Sequence, residues 1–149
     1  MIARILAIIF AFGVLLYVVA FFLPAVWDHG RSYRGLDSTF LSLAALSFYS
    51  DPVSPGQAWY VSFLKTISAF FVVLINPMFL IYAAASPFRP ADRTVRVCRV
   101  AVPLFIPFCW LLFHWESVRP QIGHYVWIIG MVSVLASGFR VNSADSSRG

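Results

Sequence analysis

The residues best placed to do chemistry form two groups, and both are small. The first is Lys65 with Asn76 and Pro77. Lys65 is the single lysine of the chain and stands eleven residues before Asn76. Eleven residues are three helical turns, so both side chains leave nearly the same face of one helix. A lysine inside an apolar run is costly and either lines an ion or substrate path or extends its stem toward the lipid phosphates. Pro77 has no N–H to give the Val73 carbonyl, so it is expected to kink or open the helix beside an amide side chain. Membrane transporters build binding sites from such interrupted helices, and purely structural membrane helices carry the same prolines.

The second group is Asp28, His29, His114, Glu116 and His124, all in or beside connecting segments. Imidazoles with carboxylates could hold Zn²⁺ or relay protons. The spacing does not single this out, because no HxxxH, HExxH or HxH occurs. Ordinary histidines at a membrane interface are the other reading. No serine or cysteine sits in a nucleophile motif and no glycine-rich phosphate loop is present, so the chain is expected not to be an enzyme and to need no cofactor. Cys98 and Cys109 lie about 16 Å apart along one predicted helix, too far to bridge within it.

The elements that carry these residues are apolar runs. Hydrophobic residues make up 60% of the 149 residues and charged residues 11%, with a mean hydropathy of +0.82. Soluble domains hold about 25% charged residues. Four spans are expected, at about 5–24, 58–85, 97–115 and 122–139. Each approaches or exceeds the ~20 residues that cross a bilayer. The first run is too long for the apolar region of a signal peptide and has Leu23-Pro24 where small residues would precede cleavage, so it is expected to be retained. Pro103 and Pro107 should bend the third span.

Between the first two spans, 25–57 reads as an outer loop. Its apolar stretch 40–49 is too short to cross, and is expected to form a short interfacial helix with Asp37 and Ser38 at its N-cap. The tail 140–149 is polar and expected to be a disordered cytoplasmic segment. The fold class is thus an all-α membrane protein, a four-transmembrane-helix bundle in one membrane domain over 1–139.

Ten arginines give most of the net charge of +5. With the N-terminus inside, the inner side holds Arg4, Arg89, Arg93, Arg96, Arg99, Arg140 and Arg148, and the outer side Arg31, Arg34, Arg119 and Lys65. That bias puts both termini in the cytoplasm. Trp27, Trp59, Tyr60, Trp115 and Tyr125 then mark the outer interface. The arginines sit at the ends of apolar runs, so the expected partner is the lipid bilayer and not nucleic acid.

Small residues mark packing faces: Ala3, Ala7 and Ala11 on the first helix, and Gly123, Gly130 and Ser137 every seventh residue on the last. They serve packing within the bundle, self-association, or contact with other membrane proteins.

The order Leu23-Pro24-Ala25, Arg34-Gly35 and Asn76-Pro77 resembles a group of bacterial four-helix membrane proteins over roughly the first 85 residues. The resemblance implies a bacterial inner membrane and no particular activity. Four-helix multidrug exporters differ in carrying a carboxylate in their first helix, and four-helix thiol oxidases in carrying paired periplasmic cysteines. The function expected is that of a non-enzymatic accessory or assembly component. The alternative is a small transporter or ligand-binding protein that uses the polar face of the second helix.

Overall fold

A computed structural model of the chain describes residues 2–37, 39–40 and 59–145, with the side chains of Ala3, Glu116 and 139–145 outside that description. The described residues are mostly helical and add a small sheet, in the order α1 (Ile2–Ala20), β1 (Pro24–Asp28), β2 (Arg31–Arg34), α2 (Trp59–Ala85), α3 (Arg93–Glu116), β3 (Arg119–Pro120) and α4 (Ile122–Asp145).

The sheet corrects the all-α expectation, and its cause is local. Pro24 disfavours helical backbone at Leu23, so α1 closes earlier than the expected 24, at Ala20. Its last turn tightens through bonds from the Phe21, Phe22 and Leu23 amides to carbonyls three residues back. The chain then extends as β1 and reverses at His29-Gly30, whose φ angles are 46° and 80°. Two positive φ values in a two-residue connection match the right-handed twist of the paired strands. β2 pairs with one edge of β1, placing Val26 opposite Tyr33 and Trp27 opposite Ser32. β3 takes the other edge through Val26–Pro120 and Trp27–Arg119, giving the order β2-β1-β3. Proline gives no ladder donor and suits an edge strand.

The helices pack as two pairs, α1 against α4 and α2 against α3. Glycine lets the first pair close up. A Cβ on Gly130 would stand 2.7 Å from the Tyr17 amide nitrogen, and one on Gly13 would stand 2.9 Å from the Gly130 carbonyl oxygen. A Cβ on Gly123 would meet the Pro24 carbonyl at 2.7 Å. Ser137 is buried and donates to the Val134 carbonyl at 2.7 Å. The Gly123, Gly130 and Ser137 face is therefore spent inside the chain. On α1 the packed residues are Gly13, Tyr17 and Ala20, whereas Ala7 and Ala11 are exposed. Ala7 and Ala11 therefore take no part in packing within the described bundle.

The second pair turns sharply over 86–92. Asp92 caps α3 by accepting the Thr94 amide at 2.7 Å, and Ser117 closes it in the left-handed region at φ 55°. Neither Pro77 in α2 nor Pro103 and Pro107 in α3 interrupts the helix. Phe71 lies against Phe105 and Phe108, with ring centroids 4.5 and 4.7 Å apart. The two pairs share a core of Tyr17, Ile75, Phe79, Tyr82, Cys98, Val102, Met131 and Val134, among others.

The backbone of the last helix is helical through Asp145, six residues past the expected end of the span, and 146–149 lie outside the described residues. The expected interfacial helix over 40–49 lies outside the described residues beyond Phe40; helical backbone is present at 35–37 and 39–40.

Among the described residues, two helices are long and apolar enough to cross a membrane: α2, and α3 from Arg93 to Trp115. The apolar helical stretches of α1 and α4 within Arg4–Ala20 and Ile122–Gly138 are shorter.

Candidate functional site

Asn76 is the centre of the polar interior. Tyr17 donates its hydroxyl to Asn76 Oδ1 at 3.0 Å, and Trp127 donates Nε1–H to the same oxygen at 3.0 Å. An indole N–H can only donate, so the atom that receives it must be the amide oxygen, which fixes the orientation of the side chain. The amide nitrogen then faces Thr39, donating to its Oγ1 at 3.4 Å, and Thr39 passes its own hydrogen to the Gly35 carbonyl at 3.0 Å. One side chain on α2 thus ties together α1, α4 and the segment after β2.

Gly35 permits this arrangement. A Cβ there would lie 2.6 Å from the Ala20 carbonyl oxygen, so only glycine lets the chain cross the end of α1 so closely. The Gly35 amide also donates to the Leu23 carbonyl at 3.1 Å, and the Leu36 amide to the Phe21 carbonyl at 3.1 Å.

Beside the amide is a cavity of ≈ 250 Å³. Its wall is mainly apolar, with Phe21, Val72, Leu112, Phe113 and Trp127, and its polar members include Asn76, Thr39 and His124. Val73 and Pro77 line it too. The proline that withholds a helical donor from the Val73 carbonyl therefore stands at the cavity.

His124 is 6% exposed and packed in aromatic rings: Phe113 at 4.8 Å, Trp127 at 5.4 Å and Trp110 at 5.6 Å between centroids. Its Nε2 is buried with no hydrogen-bond partner among the described residues. Buried polar atoms in native structures nearly always have partners, so an orphan of this kind calls for an explanation.

The residues named from the sequence separate on this geometry. Asn76 and Pro77 belong to the cavity wall, and Lys65 is not among its lining residues; it lies about 16 Å along α2 from Asn76. Asp28 and His29 meet each other, Oδ1 to Nδ1 at 2.5 Å, at the exposed hairpin turn. His114 is exposed near the end of α3, His124 is buried at the start of α4, and the Glu116 side chain lies outside the described residues. No three His, Cys, Asp or Glu side chains converge on a metal-sized site among the described residues. Nothing in the spacing of Tyr17, Trp127, Thr39 and Gly35 marks them as partners of Asn76. Arg34-Gly35 stands out in the sequence only as part of a motif, and the close approach at Gly35 is its physical content.

No family model, curated protein or solved structure matches the chain.

Proposed function

We propose that this is a multi-pass membrane protein of the bacterial inner membrane, with four spans, both termini in the cytoplasm and a non-enzymatic accessory or assembly role. The observation that carries the membrane part is the apolar surface of all four helices. Ile8, Phe70, Leu104 and Ile129, one on each helix, are exposed by 67%, 52%, 61% and 54%, and many large apolar neighbours share their condition. Soluble monomers rarely present contiguous apolar patches of that reach. At 1.5 Å per residue α1 is about 28 Å long and α4 about 36 Å, against a hydrocarbon core of ~30 Å.

Charge supports the orientation. Arg89, Arg93, Arg96 and Arg99 gather at the turn between α2 and α3, and Arg31, Arg34 and Arg119 sit on the sheet at the opposite end. The richer end is the cytoplasmic one. Trp27, Trp59, Tyr60 and Tyr125, all exposed, suit the outer headgroup level.

The accessory reading rests on what the polar groups do: Asn76 joins three segments, and Ser32 on β2 holds Gln121 before α4 at 2.6 Å. Purification in mild detergent at native expression level tests it. A partner recovered in fixed ratio is expected; the chain recovered alone from intact membranes contradicts the role. The cavity beside Asn76 favours a second reading, a small transporter or ligand-binding membrane protein.

A further inference from the structure

The cavity beside Asn76 has a definite chemical character, and its proposed occupant rests on the ligand-binding reading. A cavity of about 150 Å³ can hold benzene, so one of ≈ 250 Å³ takes a fused two-ring molecule. Among the described lining residues none is acidic or basic apart from the His124 imidazole, which favours a neutral occupant. The hydrogen-bond inventory then selects the occupant's polar group. Asn76 Oδ1 already accepts two donors, from Tyr17 and Trp127. Its NH₂ has two hydrogens and places one on Thr39. The hydroxyl of Thr39 is committed to the Gly35 carbonyl. What the amide has left to offer is a donor, and the His124 Nε2 in the same wall is also without a partner among the described residues. His124 Nε2 donates or accepts according to its tautomer, so the amide decides: a ligand that completes its bonding brings an acceptor.

We propose that the cavity binds a neutral, flat, largely apolar molecule of two-ring size bearing a carbonyl-type acceptor, which takes the spare Asn76 hydrogen while its rings lie against Phe21, Val72, Phe113 and Trp127. The site is built and not merely empty space, because the amide is held in one orientation by two donors from different helices. An oxygen seated there gains a hydrogen bond in a region of low dielectric, where such a bond is worth more than in water. The same molecule without its oxygen fills the cavity and leaves the donor unpaired.

That difference is the test. The probes are α-tetralone and tetralin, alike in ring size and differing in one carbonyl. Neither is a strong electrophile, so neither modifies the Cys109 thiol in the wall. The readout is the indole N–H resonance of Trp127, assigned by its loss in Trp127→Phe, with the protein in lipid nanodiscs. α-Tetralone is expected to move this resonance saturably, and tetralin to need at least a tenfold higher concentration in the lipid phase. Val72→Phe, which fills the cavity from α2 while leaving the polar wall intact, is expected to abolish the response to both. No saturable shift with α-tetralone overturns the proposal, as does equal titration by the two probes or an unchanged response in Val72→Phe. Membrane residence is tested separately, by whether the protein stays in the membrane fraction after an alkaline wash. The same resonance reports binding in nanodiscs or in buffer, so failure of the site and failure of the membrane reading give different results.

Discussion

Asn76 serves two donors through one oxygen, so its loss is felt twice. Removing it leaves the Tyr17 hydroxyl and the Trp127 indole N–H without an acceptor. A buried donor left unpaired costs about 1–3 kcal/mol, whereas interhelical hydrogen bonds in membrane proteins average only ~0.6 kcal/mol by double-mutant cycle. The penalty of the orphaned donors therefore decides the ordering. Asn76→Leu is expected to destabilise by about 2 kcal/mol or more, clearly beyond Tyr17→Phe, which removes one bond, or Thr39→Val, which removes two, since both leave the amide oxygen with a donor. Thermal unfolding in one detergent, compared across the set, checks this; equal effects of Asn76→Leu and Thr39→Val would count against the hub. Asn76 was legible in the sequence because a polar side chain beside proline in an apolar run stands out. Its partners were not, since Tyr17 and Trp127 are 59 and 51 residues away and which way each helix turns its face is settled only by packing.

The connections between elements depend on a few backbone positions. Gly130 allows α4 to meet α1 at Tyr17, and a Cβ there would lie 2.7 Å from backbone that cannot swing aside. Gly130→Val is expected to destabilise the α1–α4 pair by about 1–3 kcal/mol, the usual range for overpacking, and Gly30→Ala by less. Gly30 has nothing within 4 Å of a built Cβ, so only its positive φ is at stake. Denaturation midpoints of the two variants in matched micelles decide the order.

At the far turn Asp92 caps α3, and the hydrogen bond from the Thr94 amide holds its carboxyl below the usual carboxylate range. A lowered folded pKa means that the contribution of the cap is present above the unfolded carboxylate pKa and is lost as pH falls through the folded one. The protection of the Thr94 amide against hydrogen exchange, taken relative to an unstructured amide at the same pH, should therefore fall on acidification in the native chain. That protection should hold across pH in Asp92→Asn, which keeps a neutral acceptor, and be low at every pH in Asp92→Ala. The long apolar helices could be read from composition and run length alone. The hairpin was readable in principle, from Val-Trp and Ser-Tyr flanking His29-Gly30, yet the charged residues of that loop mask its strand alternation. The partnership of β3 was not readable: it rests on two residues, Arg119 and Pro120, brought to β1 only once α3 and α4 have packed.

As a whole the molecule is two antiparallel helix pairs, joined by a core around Tyr17, Ile75 and Phe79 and closed at one end by a three-stranded sheet. Among the described residues, the side-chain hydrogen bonds that join elements centre on Asn76 or lie at the sheet, and many large apolar residues of the four helices face outward. That distribution is what a bilayer requires, because lipid offers no hydrogen bonds and water is available only at the ends. The orientation carries its own prediction: a reporter fused after Gly149 should be active only in the cytoplasm, and one inserted at the His29-Gly30 turn only on the outer side. The most direct test of membrane residence places spin labels singly at Ile8, Phe70, Leu104 and Ile129, one exposed apolar position per helix, in protein reconstituted into vesicles. Accessibility to oxygen, which concentrates in lipid, is then compared with accessibility to a water-soluble nickel chelate. Four lipid-crossing helices predict that oxygen dominates at all four labels; a label on α1 or α4 open to the nickel chelate would contradict four spans.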